Sequence, residues 1–247
     1  YGNRDHDTTS IGDQLTHPLT DTFERRGIVL IPAFAVGRSQ QIALVLRELM
    51  REGRIPKVPI HIDSPMAVEA TRIYGRHLNA DNVDEELIED GRQRLFPASV
   101  ELHRSVQESK RLNDLGGPRI IISASGMLVG GRVLHHLKRL IRGERNLIIM
   151  AGYQAAGTRG RKLLEGNPTL RIHGSDIPVR CDCLSLHGLS GHGDRGEMMR
   201  WLRSGDKDPE RVFLTHGEPE AAMAFAQHIR RELGWQTSVP NLGDEIE

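Results

Sequence analysis

The sequence of 247 residues is poor in several residue types, and each shortage excludes a class of protein. Its two cysteines cannot form the disulfide framework of a small secreted domain. Aromatic residues make up only 4%, which leaves little material for a surface built on many stacked rings. No apolar run reaches the roughly 20 residues of a membrane-spanning helix, and no basic-then-apolar leader opens the chain. These shortages predict a soluble, cytoplasmic chain with no membrane partner.

The sequence also lacks net charge, because 33 Lys and Arg residues balance 33 Asp and Glu residues. That balance argues against a general polycation, although a sum over the whole chain does not exclude a local basic groove. Charged residues at 27% and hydrophobic residues at 38% are typical of a folded globular protein. The length suffices for one large domain or two modest ones. Because the chain begins at Tyr1, in a turn-like segment without an initiator Met, we expect that upstream residues are missing.

Short apolar runs alternate with amphipathic helical patterns through most of the chain, which predicts βαβ units and a mostly parallel sheet. The runs predicted as strands are 27–32, 58–62, 99–102, 119–122 and 146–150. Residues 78–115 are polar and charged, and we predict exposed helices there around the strand at 99–102. The expected fold class is therefore α/β.

The pattern changes near residue 170. We predict antiparallel strands at 170–173 and 177–186. A helix at 194–202, a strand at 211–215, a helix at 218–233 and a strand at 236–239 are predicted to follow. A soft boundary near residue 186 divides the chain into predicted domains 1–186 and 187–247.

Two of the 12 histidines occupy positions that favour chemistry. His192 lies in a glycine-rich loop, residues 188–194, between a predicted strand and a predicted helix. His216 follows a predicted strand, and in open α/β sheets ligands collect beyond the carboxyl ends of strands. Imidazole is a common metal ligand and a proton donor or acceptor near pH 7. We therefore predict catalysis by His192 and metal binding by His216; the structural alternatives are a loop histidine and a polar strand-end cap.

Two histidines do not make a hydrolytic zinc site, which needs at least three protein ligands and a water. The sequence contains neither His-x-His nor His-Glu-x-x-His, so most of any such site is expected to lie outside this chain. The other histidines considered have no acidic or histidine partner at ligand spacing, and we interpret them as structural or solvated: His77, His103, His135, His136, His173 and His228.

Two loops between a predicted strand and a predicted helix have the small residues and the arginine that a phosphate site requires. One contains Ser125, Gly126 and Arg132, and the other contains Arg38 at a helix start. Neither matches a dinucleotide or Walker A fingerprint, so an ordinary tight turn is the alternative for each. Ser190 is a third candidate phosphate donor. We interpret Asp63-Ser64 as a helix cap.

Seven segments, taken together, resemble the β-CASP family of metallo-β-lactamase-fold ribonucleases, most closely bacterial homologues of the pre-mRNA 3′-end-processing endonuclease. Their order and spacing match over essentially the whole chain: YGNR (1–4), IPAFAVGRSQ (31–40), DSPMA (63–67), SASGM with GGR (123–132), GYQ (152–154), SGH (190–192) and THGE (215–218).

The resemblance implies a Rossmann-like β-CASP domain at 1–186 and the C-terminal part of an αββα metallo-β-lactamase domain at 187–247. It implies a ribonuclease with two zinc ions that cleaves single-stranded RNA, with His216 as a zinc ligand. It also implies that His192 acts as general acid or holds the scissile phosphate. Ser190, Arg38, Ser125, Gly126 and Arg132 match loops that face the RNA. The remaining zinc ligands would lie upstream, so we expect this chain alone to be inactive.

Two other functions stay open. A catalytically silent β-CASP scaffold or RNA-binding homologue would keep the fold without a complete metal site. A nucleotide- or sugar-phosphate-binding module would explain the βαβ rhythm and the Ser/Gly loops, but not the joint set of motifs. A homodimer is compatible with the sequence, which does not fix the oligomeric state.

Overall fold

The short apolar runs form a six-stranded sheet in the computed structural model, which describes residues 2–77 and 100–245. The strand order is β3-β2-β4-β1-β5-β8, and every neighbouring pair is parallel. The six strands are β1 (Ile28–Pro32), β2 (Ile60–Asp63), β3 (Val100–His103), β4 (Arg119–Ser123), β5 (Leu147–Met150) and β8 (Asp182–Ser185). The mostly parallel α/β fold predicted from the sequence is confirmed.

Helices form where the apolar residues recur with a period of about 3.6. The helices are α1 (Ile11–Glu24), α2 (Arg38–Arg51), α3 (Pro65–Arg76), α4 (Val106–Leu112), α5 (Val133–Leu140), α6 (Arg159–Leu164), α7 (Arg195–Arg203) and α8 (Pro219–Leu233). Two small pairs complete the described elements: the antiparallel hairpin β6 (Thr169–Ile172) and β7 (Ser175–Pro178), and the parallel pair β9 (Val212–Phe213) and β10 (Thr237–Ser238).

Contacts divide the chain into two units, which we call the sheet unit (Thr9–Leu189) and the terminal unit (Tyr1–Thr8 with Ser190–Glu247). In the sheet unit, alternate residues of β1 enter opposite cores. Val29 and Ile31 pack in the core that contains α1 and α2, whereas Leu30 packs in the core that contains α5 and the β6–β7 hairpin. Covering on both faces explains why β1 and β5 are apolar along their whole length.

The terminal unit has a small core formed by Met199, Phe225 and Ile229. Its N-terminal residues pack directly against α8: a Cβ on Gly2 would lie 2.7 Å from both the Ala221 carbonyl oxygen and the Phe225 Cβ. Only glycine fits such a close approach. The sequence-based division at residue 186 refers to domains of the family and stays a prediction.

One predicted strand is wrong in its pairing. Residues 177–186 do not form a single strand: β7 ends at Pro178, and the Val179 N–H makes one further bond to the Pro168 carbonyl. The chain then turns: the Arg180 and Cys181 N–H groups donate to the Ile141 carbonyl, and β8 joins the main sheet parallel to β5.

Helix α1 has no counterpart among the predicted elements. Leu15, Leu19 and Phe23 form its buried stripe, and Ser10 caps its N-terminus, but Pro18 in its middle disguises the helical pattern. The strand predicted at 99–102 is β3, and α4 lies in the polar segment that follows. Residues 78–99 of the predicted exposed helices lie outside the described residues.

Candidate functional site

The sheet unit has its topological switch point between the neighbouring strands β1 and β4. From β1 the chain crosses by α2 on one face to β2, and from β4 it crosses by α5 on the opposite face to β5. Crossovers in opposite directions leave a crevice beyond the carboxyl ends of two such strands, and ligands of open α/β sheets bind there. The loops that carry Arg38 and Ser125 both begin at this crevice.

These two loops contact one another. The Ala33 N–H donates to the Ser123 carbonyl at 3.0 Å, and a Cβ on Gly126 would lie 3.4 Å from the Phe34 nitrogen. Gln154, in the loop after β5, donates its side-chain amide to the Gly126 carbonyl at 3.1 Å. The structure therefore brings three predicted motifs, at 31–40, 123–132 and 152–154, to one edge of the sheet.

Ser125 and Arg38 both stabilise this loop cluster through local hydrogen bonds. The Ser125 hydroxyl accepts from the Val129 and Gly130 N–H groups at 3.2 and 3.4 Å, so it closes its own loop. Arg38, the first residue of α2, donates to the Ala151 carbonyl at 3.0 Å. Gly37 before it offers no side-chain cap, which leaves the start of α2 suited to an anion. Phosphate binding by both residues stays a prediction.

Arg132 lies in a different environment. Its guanidinium donates to the Asp63 carboxylate at 2.8 Å and to the carbonyls of His103 and Arg104 at 3.2 and 2.7 Å. Three segments of chain are thereby held together: the loop that carries Arg132 and the carboxyl ends of β2 and β3. This geometry gives Arg132 a structural role. Its contact with RNA stays a prediction.

Asp63 is the centre of a buried polar network that the sequence did not reveal. Its carboxylate is fully buried and accepts hydrogen bonds from His136 Nε2 at 2.7 Å, the Ser109 hydroxyl at 2.5 Å and Arg132. Asn113 contacts the other ring nitrogen of His136 at 3.1 Å. The cap predicted at Asp63-Ser64 is correct for Ser64, which accepts from the N–H three residues later, and wrong for Asp63.

Burial alone would raise the pKa of Asp63. The hydrogen bonds from His136, Ser109 and Arg132 outweigh burial and hold the pKa of this carboxyl below its ordinary value. Its partners lie 46–73 residues away along the chain, so no local spacing could identify them.

The terminal unit contains the second group of predicted site residues, in an open cleft of about 490 Å³. His192 is exposed at this cleft, and its backbone N–H donates to the Ser190 hydroxyl oxygen at 3.1 Å. That bond orders the loop, and because the hydroxyl oxygen acts as the acceptor, its hydrogen is not used in the bond. The residues that line the cleft are His6, Ser190, Gly191, His192, Gly193, Glu197, Met198 and Trp201.

His6 and Trp201 are cleft residues that the sequence analysis did not single out. His6 Nδ1 lies 3.8 Å from Asp194 and 3.6 Å from Glu197. Both carboxylates already cap α7, and the N–H groups of His6 and Glu197 hold the pKa of Asp194 below its ordinary value. This arrangement orders the start of α7. Trp201, whose side chain is 74% exposed, presents a large ring at the cleft edge.

His216 follows β9 in a left-handed backbone conformation, with φ of 63°, and is exposed. Within residues 2–77 and 100–245, neither His216 nor His192 belongs to a group of three or more side chains that could bind one metal ion. A hydrolytic zinc ion needs at least three protein ligands. The described residues therefore fit a single ligand at His216 and do not form a complete zinc site there.

Comparison with known proteins identifies the class. Residues 39–163, just over half of the chain, match the Beta-Casp domain family. Residues 176–240 match the Zn-dependent metallo-hydrolase RNA specificity domain. The chain belongs to the Beta-Casp family, and the resemblance stated from its motifs is confirmed.

Individual relatives are similar along nearly the whole of this chain. Ribonuclease TTHA0252 of Thermus thermophilus is 36% identical over 230 residues, which cover 92% of this chain and 52% of that protein. Transcription termination factor FttA of Methanocaldococcus jannaschii is 35% identical over 246 residues, covering 94% and 38%. The RNase J-like protein of the same organism is 34% identical over 230 residues, covering 93% and 52%. The chain thus spans about half the length, or less, of these relatives.

Within residues 2–77 and 100–245, no helix is both long enough and apolar enough to cross a membrane.

Proposed function

We propose that this chain belongs to a zinc-dependent ribonuclease that hydrolyses phosphodiester bonds in single-stranded RNA. The observation that carries the proposal is the exposed His192 beside the Ser190 hydroxyl, in a cleft whose lining residues, His6 apart, lie in the segment that matches the RNA specificity domain. Two relatives, ribonuclease TTHA0252 and an RNase J-like protein, support the same chemistry by their names.

His192 would give a proton to the departing 3′ oxygen, or would hydrogen-bond this oxygen as its charge develops. The Ser190 hydroxyl would donate to a non-bridging oxygen of the scissile phosphate. In the sheet unit, the start of α2 with Arg38, together with Ser125 and Gly126, would hold a neighbouring phosphate. Contacts of this kind position RNA without reading its bases.

Zinc would be held in part by His216 and, when bound, would supply an activated hydroxide and stabilise charge on the phosphate oxygens. We propose two ions, as in the family's mechanism, with further ligands outside this chain. We also propose that the 247-residue chain alone is inactive. A cytoplasmic location agrees with the two free cysteines, Cys181 and Cys183. A homodimer stays a proposal.

Zinc removal tests the function directly. The protein expressed from its complete gene should cleave 5′-labelled single-stranded RNA, lose that activity after dialysis against a chelator, and regain it with added zinc. His216→Ala should lower the zinc content measured by atomic emission and abolish recovery, because one ligand is lost. RNA binding without cleavage in the zinc-loaded protein would favour the silent scaffold, and stabilisation by a mononucleotide but not by RNA would favour the nucleotide-binding module.

Trp201 should contribute to RNA affinity, because a largely exposed indole at the cleft edge can stack on a base. Base–aromatic stacking contributes about 1–3 kcal/mol, or roughly 5- to 150-fold in the dissociation constant. Trp201→Ala should weaken binding of single-stranded RNA by that factor, and Trp201→Phe should keep most of the affinity. Fluorescence anisotropy of labelled RNA, measured in the presence of a chelator, reports binding alone because removal of zinc prevents cleavage. Equal affinity of the alanine variant and the parent would show that no base stacks there.

A further inference from the structure

Three side chains from β2 and β3 converge on one face of the sheet unit. His61 lies opposite Glu101 in the parallel register, and Asp63 lies opposite His103. Because side chains at alternate positions of a strand share a face, His61, Glu101 and His103 project to the same side. Ile60 and Ile62, the apolar neighbours of His61, enter the core on the opposite face.

The ligand atoms of the three side chains form a compact triangle. His61 Nδ1 lies 3.1 Å from His103 Nε2, the Glu101 carboxylate lies 3.5 Å from His61 Nδ1, and it lies 3.8 Å from His103 Nε2. Tetrahedral zinc with bonds of about 2.0–2.1 Å separates its ligand atoms by roughly 3.3 Å. The observed distances lie close to this value on either side, so an ion fits among the three atoms after small shifts.

A hydrogen bond between the two imidazoles would explain the distance of 3.1 Å alone. It would not explain why the Glu101 carboxylate approaches the same two nitrogen atoms at 3.5 and 3.8 Å, beyond ordinary hydrogen-bond length. Two imidazole nitrogens and one carboxylate oxygen around a common point are a ligand set that zinc uses in enzymes. The convergence of all three groups therefore favours a metal.

The surroundings suit a metal with one open position. His61 is 2% exposed and the His103 side chain 12%, whereas the Glu101 side chain is 55% exposed. The two histidines are thus held by the protein, and solvent reaches the site from the side of Glu101.

Arg119 shapes the selectivity of this cluster. Arg119, in the neighbouring strand β4, is only 4% exposed, and Nε and one terminal nitrogen of its guanidinium are not hydrogen-bonded. A positive charge so close opposes any cation that binds by charge alone, such as magnesium or calcium. Metals that form strong bonds to imidazole tolerate the positive charge of Arg119 better. Zinc is such a metal.

We propose that His61, Glu101 and His103 bind one zinc ion, with water as the fourth ligand. None of these residues belongs to the set proposed above for ribonuclease activity. Because β3 is an edge strand of the sheet, an ion bound here would tie it to β2 and stabilise the sheet unit.

Cobalt titration of the untagged, metal-free chain tests the site, because cobalt takes the place of zinc and absorbs visible light when its coordination is tetrahedral. We expect one cobalt ion per chain with such absorption, competed away by zinc, and a rise in melting temperature with zinc. His61→Ala and His103→Ala should remove both effects. His216→Ala and His135→Ala, which alter exposed or partly exposed histidines elsewhere, should keep them.

Glu101→Gln keeps the proposal testable if a histidine variant fails to fold, because the Glu101 side chain is mostly exposed. Its zinc affinity should fall at least as much as the roughly 10- to 100-fold that loss of an outer-shell partner costs. Unchanged zinc affinity in Glu101→Gln, or a cobalt spectrum that survives His61→Ala and disappears in His216→Ala, would overturn the proposal. Absence of any zinc-induced stabilisation in the parent chain would do the same.

Discussion

Asp63→Ala is expected to lower the free energy of unfolding of the sheet unit by about 3–5 kcal/mol, the cost of removing one partner from a buried ion pair. The side chain is fully buried and accepts hydrogen bonds from His136, Ser109 and Arg132. Alanine would leave those donors without their acceptor in a place that water does not reach. Because Arg132 also holds the chain beyond β3, the loss should spread to the edge of the sheet.

Urea unfolding followed by circular dichroism at 222 nm measures this effect. Tryptophan fluorescence is unsuitable, since Trp201 and Trp235 both lie in the terminal unit and do not report on the sheet unit. Asp182→Ala is the matched control, because Asp182 is 58% exposed and pairs with Arg25 at the surface. Such a pair contributes about 0–1 kcal/mol. If Asp63→Ala is no more destabilising than Asp182→Ala, the network does not stabilise the fold.

Acid should weaken the same network. The pKa of Asp63 is lower in the folded state than in the unfolded chain, so the unfolded state binds the proton first as pH falls. The stabilisation is complete above the ordinary pKa near 4 and disappears as pH drops through the lower, folded-state pKa. Asp63→Asn, which cannot ionise, should show a smaller loss of stability than the parent over this acidic range.

The α/β architecture could be predicted because it depends on local patterns. Strands covered on both faces are apolar along most of their length, as β1, β5 and the three central isoleucines of β4 are. The meeting of the loops at the switch point could also be predicted from the sequence, because a parallel sheet places the carboxyl ends of neighbouring strands together. The observed contact between Gly126 and Phe34 realises that rule.

Long-range partners could not be predicted, and His136 and His103 show why. Both were interpreted as structural or solvated because the sequence near them offers no acidic or histidine partner. His136 is indeed a buried structural residue, but its partner Asp63 lies 73 residues away. His103 meets His61 across 42 residues, through a strand register that only the folded sheet defines. A one-residue shift of that register would have turned the two rings to opposite faces.

The N-terminal residues were missed for a related reason. Gly2 matched a family motif, but its place against α8 and the approach of His6 to Glu197 depend on contacts with residues near the other end of the chain. The partner of β8 could not be predicted, because residues 177–186 read as one continuous run. The turn that separates β7 from β8 depends on bonds from the Arg180 and Cys181 N–H groups to the carbonyl of Ile141, which is distant along the chain.

His192→Ala should reduce RNA cleavage by about 10²–10⁴-fold, the usual contribution of a general acid or base. The protein expressed from its complete gene and loaded with zinc is the sample, and single-turnover rates on labelled single-stranded RNA are the measurement. His192 is exposed, so the substitution should leave the melting temperature unchanged. His187→Ala is the matched control, because it removes another exposed histidine that lies outside the cleft.

The leaving group separates the two roles open to His192. An RNA with sulfur in place of the bridging 3′ oxygen expels a thiolate, which needs no proton to depart. If His192 protonates the leaving oxygen, the His192→Ala variant should cleave this substrate at nearly the parent rate. A defect that persists at full size with sulfur would assign His192 to holding the phosphate instead. Cleavage of ordinary RNA as fast in His192→Ala as in His187→Ala would remove it from catalysis altogether, and with it the observation on which the proposed function rests.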